Sequence, residues 1–580
     1  MNGFISELKR RSVFKVGVAY VILAWVVAQV MELALDSFAA PDWVIKTVLT
    51  LLVVGFPIAV FLAWAYELTP DGIKLTKSGS LDNAGQTASA VAAATPPAIK
   101  QSIAVLPFAD MSPEKDQEYF SDGIAEELLN QLTKLKGLHV AGRTSSFFFK
   151  GKNEDLRDIG EKLNVAHILE GSVRKAGNRV RITAQLVKAA DGYHLWSETF
   201  DRDLDDIFAI QDETAKAVAN ALSLELGVGK ASSKDGGTHN IGAFDAYLNG
   251  MSLYHQFGRK EWSNAIEQFE KAVELDPDFV LAWSWLAQVC DTAAFSFLSE
   301  QATELGTRSE EAAKRAISIA PDAVASIRAS ALLKTRNREW AEAERLWRKA
   351  MAAAPGDADA NYEYGRFLLH VGRAKDAVQY CRRAVQIDPL SLVPCVLLAL
   401  AYQESGNAEK ALSEYKRGEG LIGNHTFLYS VTLVFAMEQG DRQLMEECLD
   451  KILEGEPFLP DNESITRSMR AGLDSAENAR KALRRFDTDP AYGTSMGRTV
   501  ITVWASYFGD AELALKQFRD VIDNKALAMF LLWRPIQKGM RQLPGFKDLL
   551  RDFKLVDYWQ STGNWGDFCR PTGDGDFECS

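Results

Sequence analysis

AERLWRKAMAAAP, from Ala343 to Pro355, and AVQYCRRAVQIDP, from Ala377 to Pro389, place the same residue types at the same spacing. Ala343, Trp347, Ala350 and Pro355 in the first become Ala377, Cys381, Ala384 and Pro389 in the second. Ala265, Phe269, Ala272 and Pro277 carry the pattern earlier, and Ala411, Tyr415 and Gly418 repeat it later without a proline. Small residues at these points let neighbouring helices approach closely, the large apolar residue fills the gap, and the proline ends the helix.

The intervals from Pro321 to Pro355 and from Pro355 to Pro389 are 34 residues each, which is the period of the two-helix tetratricopeptide repeat. Pro277 to Pro321 spans 44 residues, so an insertion is expected around Thr292 to Gly306, lengthening a loop. Each unit buries its apolar face only against its neighbours, which predicts a solenoid with an extended surface for a protein segment. The register places Gln288, Arg328, Arg336, Arg366 and Gln403 towards that groove. Three arginines on an acidic chain suggest a ligand bearing carboxylates, which a guanidinium fork matches, although each could equally be an ordinary surface arginine. On this reading, replacing Arg328 and Arg366 by Glu abolishes partner capture and leaves helicity unchanged.

At 580 residues, with 25% charged and 47% hydrophobic residues, the chain is long enough for several domains. Its net charge of -13 argues against a nucleic-acid surface. Six cysteines make no disulfide framework. Cys290, Cys381, Cys395 and Cys448 read as small core residues, whereas Cys569 and Cys579 are close enough to close a disulfide loop or to remain two thiols on a tail.

Two apolar runs near the N-terminus, Val16 to Leu35 and Thr47 to Tyr66, have the length of a bilayer span. Lys9, Arg10, Arg11 and Lys15 precede the first, while Asp36 to Trp43 lacks Lys and Arg. The positive flank predicts a transmembrane hairpin in a bacterial inner membrane with the large domains in the cytoplasm, or in the periplasm if only one run crosses. A flexible linker is expected over Lys77 to Ala98.

From Ser102 the pattern alternates. Ser102 to Phe108, Leu138 to Ala141, His167 to Arg174, Arg179 to Lys188 and Tyr193 to Phe200 read as strands, and Glu118 to Leu135, Asp155 to Leu163 and Asp206 to Leu226 as helices. The expected fold is therefore multidomain: a transmembrane helical hairpin, an α/β sandwich-like domain and an all-α tetratricopeptide solenoid. Its expected boundaries are a basic N-terminus at 1–15, the hairpin at 16–66, a linker at 67–100, the α/β domain at 101–228 and a second linker at 229–242. Repeats at 243–424, divergent helices at 425–556 and a tail at 557–580 complete the chain.

EYFSDGIAEELLNQL, GRTSSFFFKG, ILEGSVRKAGNRVRITAQLV and HLWSETFDRDLDDIFAIQDE resemble the TolB amino-terminal-like, or FlgO-like, domain of bacteria. In proteins of this type the domain is commonly followed by tetratricopeptide repeats, as here, and often preceded by an adenylate cyclase or a winged-helix domain. The two apolar runs stand in that place. The resemblance implies an interaction or sensory protein and supplies no catalytic residues.

No phosphate-binding Gly-rich loop, His-Glu-x-x-His, Cys-x-x-Cys or Gly-x-Ser-x-Gly occurs. His139, His167 and His194 fall on three expected strands but read as separate residues, and Glu126 and Glu127 as a solvated helix face. No enzyme activity, metal or cofactor is therefore expected. The expected function is a membrane-anchored adaptor holding a protein partner, with a small-ligand sensor as the alternative and an enzyme of unfamiliar signature as a third.

Overall fold

A computed structural model describes residues 99–203 and 237–580 with short interruptions, residues 213, 214 and 217, and the backbone of 66–69 and 72–75. Residues 1–94 and 95–580 form separate units. In the first, β1 (Tyr66–Thr69) pairs antiparallel with β2 (Gly72–Leu75). The second apolar run was expected to continue to Tyr66, so its last residue belongs to a strand. The rest of both runs, and the 77–98 linker, lie outside the described residues. Among the described residues no helix is long and apolar enough to cross a membrane. For the described residues this points against the inner-membrane assignment and the lipid bilayer as a partner.

The α/β domain is built on β3 (Ile99–Val105), β4 (Ala109–Asp110), β5 (His139–Val140), β6 (Val165–Ala176), β7 (Arg179–Lys188) and β8 (His194–Asp203). The sheet order is β5-β3-β6-β7-β8, with β4 also on β6. β3 runs parallel to β5 and β6, and β6, β7 and β8 form an antiparallel meander. β7 alternates exposed Arg179 and Arg181 with buried Val180 and Ile182, as a half-buried strand should. Helix α1 (Glu118–Thr133) covers one face through Ile124, Leu128 and Leu132; α2 (Arg143–Phe147) and α3 (Leu156–Leu163) lie towards the other, where Phe149, Ile159 and Leu163 pack. Asp155 caps α3 by accepting from the Arg157 amide, and Asn164 ends it in the left-handed region.

Helix pairs follow. The first helices of successive pairs are α4 (Ile241–His255), α6 (Val280–Phe295), α8 (Val324–Arg336), α10 (Ala358–His370), α12 (Leu392–Glu404), α14 (Thr426–Gln439), α16 (Asn462–Gly472) and α18 (Ser495–Tyr507). The second helices are α5 (Arg259–Leu275), α7 (Ala302–Ile319), α9 (Trp340–Ala353), α11 (Ala374–Ile387), α13 (Ala408–Ile422), α15 (Arg442–Glu454), α17 (Ala476–Thr488) and α19 (Ala511–Asp523). Ala265, Phe269, Ala272, Ala343, Trp347, Ala350, Ala377, Cys381, Ala384, Ala411 and Tyr415 are all buried. Each large member contributes about 1.5–3 kcal/mol by leaving water. Close approach is visible at Gly365, where a Cβ would lie 2.7 Å from Cys381 Sγ.

The ten additional residues between Pro277 and Pro321 do not make a loose loop. They lengthen α6 and α7, which are 16 and 18 residues against 13 and 14 in α10 and α11, and add the short turn Ser299–Gln301 between them.

After α19 the chain folds back through α20 (Lys538–Arg541), α21 (Pro544–Asp552), α22 (Leu555–Thr562) and the hairpin β9 (Cys569–Gly573) and β10 (Asp576–Cys579). Cys569 and Cys579 are disulfide-bonded across this hairpin. Phe577 is fully buried beside Trp559 and Trp565, so residues 557–580, expected as a tail, are part of the packed structure.

Candidate functional site: an internally satisfied repeat surface

Of the groove residues read from the repeat register, Gln288, Arg336 and Arg366 converge on the carboxylates of Glu363 and Asp291. Gln288 Nε2 donates to Glu363 Oε1 at 2.5 Å, and Arg366 reaches Glu363 at 2.6 Å and Asp291 at 3.7 Å. Arg336 is ion-paired with the same Asp291. Arg328 lies 3.6 Å from Asp357 and 5.4 Å from the centroid of the Trp285 ring. Burial works against the charge on Arg366, yet Glu363 and the neighbouring groups hold its pKa above the usual arginine range. Three guanidinium groups are thus matched to carboxylates of the chain itself, Asp291, Asp357 and Glu363. The expectation of an acidic ligand for them is corrected: their charge is already neutralised within the chain.

Gln403 belongs to a second cluster. It donates to Glu438, and its carbonyl oxygen accepts from Tyr415 at 2.7 Å and from Arg534 at 2.8 Å. Arg534 comes from the returning C-terminal segment, which lies along the turns joining the first and second helices of the pairs. Three indoles fasten it: Trp340 donates to the Phe553 carbonyl at 2.6 Å, Trp533 to that of His370 at 3.1 Å and Trp559 to that of Val371 at 3.1 Å. The buried Glu344 carboxylate accepts from Arg373 at 2.7 Å and from Tyr558 at 2.9 Å.

The opposite turns hold the α/β domain. Asp388, 6% exposed, accepts from the Ser145 amide at 2.7 Å, while Ser145 Oγ accepts from the Leu390 amide at 2.7 Å. The Gly142 amide donates to the Ile387 carbonyl at 2.6 Å. Gly142 has φ −63°, open to any residue, so space and not conformation requires glycine: a Cβ would lie 2.5 Å from Asp388. At the other end α1 packs on α4, where a Cβ at Gly123 would collide with Leu248. Between them Glu126, 3% exposed, bonds Arg143 Nε at 2.8 Å, and Thr144 Oγ1 lies 3.3 Å from His255 Nδ1. Burial, aided by the Arg143 charge, lowers the His255 pKa to about 3, so the ring is neutral. The expectation of a solvated Glu126 is therefore corrected: its face of α1 is turned into the docked surface.

The three strand histidines have separate surroundings. His139 contacts Arg383, His167 Nδ1 lies 3.0 Å from the Ser102 carbonyl, and His194 is exposed. Sequence reasoning missed Asp388, Ser145 and Glu344. The signal for the first was the Asp-Pro step at Asp388 and Pro389, which recurs at Asp276 and Pro277.

Residues 328–391 match the family model described as a tetratricopeptide repeat, and residues 99–217 match that of the HilA/YgeH-like transcriptional regulator, second domain. The TolB-like resemblance drawn from the sequence falls on the same region as the second match. A protein of Rhizobium meliloti (strain 1021) named "Putative adenylate cyclase 3" is 40% identical over 205 residues, which are 35% of this chain and 35% of that protein. The chain thus spans about a third of the length of the curated relative it matches. Among solved structures, YrrB, "a TPR protein with an unusual peptide-binding site", is 18% identical and covered over 99% of its length by 36% of this chain, with a TM-score of 0.25. PilW, a "widely conserved type IV pilus biogenesis factor", is 18% identical, covered over 99% by 42% of this chain, with a TM-score of 0.29. The helix pairs within residues 328–391 are thus similar to tetratricopeptide repeats, and the sheet domain docked on the array is similar to the second domain of the HilA/YgeH-like regulators.

Proposed function

We propose that the chain is a protein-binding scaffold whose repeat array holds a partner while its α/β domain is fixed against the same array. The observation that carries this reading is the docking itself. The array already holds a folded protein surface through main-chain and side-chain bonds at Gly142, Ser145, Asp388 and Leu390. Helix-pair arrays of this kind offer extended surfaces for protein segments. The activity in the name of the Rhizobium relative belongs to a protein of which this chain spans about a third and is not carried over.

Chemical crosslinking of the tagged full-length chain in its native cells, followed by mass spectrometry, tests the proposal. A partner crosslinked to helices between Ile241 and Asp523 is the expected result. Crosslinks confined to the α/β domain would overturn it.

A further inference from the structure

The turns on one side of the array carry the α/β domain and those on the other carry the C-terminal segment, so a partner needs a surface that neither covers. One cleft of about 430 Å³ lies between α13 and α15, with α14 as its floor. Its base is apolar, with Leu412, Leu444 and the Tyr429 ring, and its rim is acidic, with Glu419, Asp441 and Glu447 against the single cation Lys416. All four rim residues are exposed. Tyr429 donates to Glu419 at 2.7 Å, and Asp441 accepts from the Leu444 amide at 3.0 Å, which fixes the rim geometry. Glu447 has no cationic partner among the described residues.

We infer that this cleft docks a basic segment of a partner protein, with one Lys or Arg side chain laid along its apolar base. The inference rests on the scaffold reading and names the chemistry of its partner. The cleft is near the small end of ligand sites, about 300–1,000 Å³, and so suits one or two side chains. A long cationic side chain fits both parts, because its methylene stem covers Leu412 and Leu444 while its charged head reaches Glu447 and Glu419. Charge decides against an acidic segment, since three carboxylates face one ammonium group.

The test uses fluorescence anisotropy of a labelled peptide of alternating leucine and lysine, and of its counterpart with glutamate for lysine, titrated with the full-length chain at physiological salt. The lysine peptide should bind and the glutamate peptide should not. Glu419→Lys with Glu447→Lys should weaken binding by about tenfold or more. Glu463→Lys with Glu477→Lys, the same charge change on exposed positions of α16 and α17 outside the cleft, should leave it unaltered. Leu412→Ser, which keeps the charge, should also weaken binding, and melting curves establish that each variant is folded. Equal weakening by the two double variants would mean general attraction to an acidic chain and would overturn the inference, as would no binding or equal binding of the glutamate peptide. Partner crosslinks elsewhere on the helix pairs, with a silent cleft, would remove this inference and leave the scaffold reading standing.

Discussion

Arg366 lies against two carboxylates of its own chain, Glu363 on the same helix and Asp291 two pairs earlier. Its side chain is 13% exposed and that of Asp291 2%. Arg366→Glu would leave buried carboxylates facing one another, and removing one partner of a buried pair costs about 3–5 kcal/mol. Urea denaturation should record that loss, together with reduced helicity, in place of the unchanged helicity that a surface arginine would give. Asp245, on α4, shows the opposite sign of charge burial. One of its carboxylate oxygens is buried without a hydrogen bond, and burial raises its pKa from the ordinary 3.8 to about 6, against the pull of Lys175 and Lys271. The folded state therefore favours the protonated acid, so this group's contribution to stability is present below about pH 4 and lost as the pH rises towards 6. A two-unit shift corresponds to ~3 kcal/mol for a fully sequestered group, which water at this partly exposed site reduces to about 1 kcal/mol. Asp245→Asn should match the wild type in melting temperature near pH 3.5 and exceed it near pH 7.

Among elements, the docking of the α/β domain turns on the segment Gly142 to Ser145 and the turn Ile387 to Leu390. Gly142→Val would force a side chain into Asp388, and overpacking of this kind costs about 1–3 kcal/mol. Hydrogen exchange should quicken at residues 142–147 and 387–391 together while the paired helices α14 and α15 keep their protection; unchanged exchange at the first two segments would show that the contact does not hold the domain. Local pattern made the helix pairs legible, because Ala343, Trp347 and Ala350 repeat at a fixed spacing and bury against neighbours close in the chain. The strands were legible for the same reason, as β7 alternates in and out of the core. The docking was not, because Ser145 and Asp388 are separated by 243 residues and neither belongs to a periodic pattern. Glu126 was misjudged on similar grounds: its helix position alone does not reveal that a second domain covers that face. The arginines were correctly placed on the first helices, but their acidic partners Asp291 and Glu363 had to be found in space.

At the scale of the molecule, a net charge of -13 conceals a local ordering. Arg336 and Arg366 are matched to Asp291 and Glu363 on the repeat helices, while the carboxylate of Glu447 stands on an exposed position. The C-terminal hairpin, closed by Cys569 and Cys579, completes one side of the array, as an atypical terminal segment of a repeat protein does. The apolar runs of the N-terminus were the strongest localisation signal in the sequence and, apart from Tyr66, lie outside the described residues. The described helices carry no span that could cross a membrane, so the account rests on the repeat array. The measurement that tests it most directly is hydrogen exchange of the full-length chain alone and in complex with the crosslinked partner. The account predicts new protection on the helices between Ile241 and Asp523, with the sheet residues 99–203 unchanged. Protection confined to the sheet, with the helices exchanging as in the free chain, would contradict it.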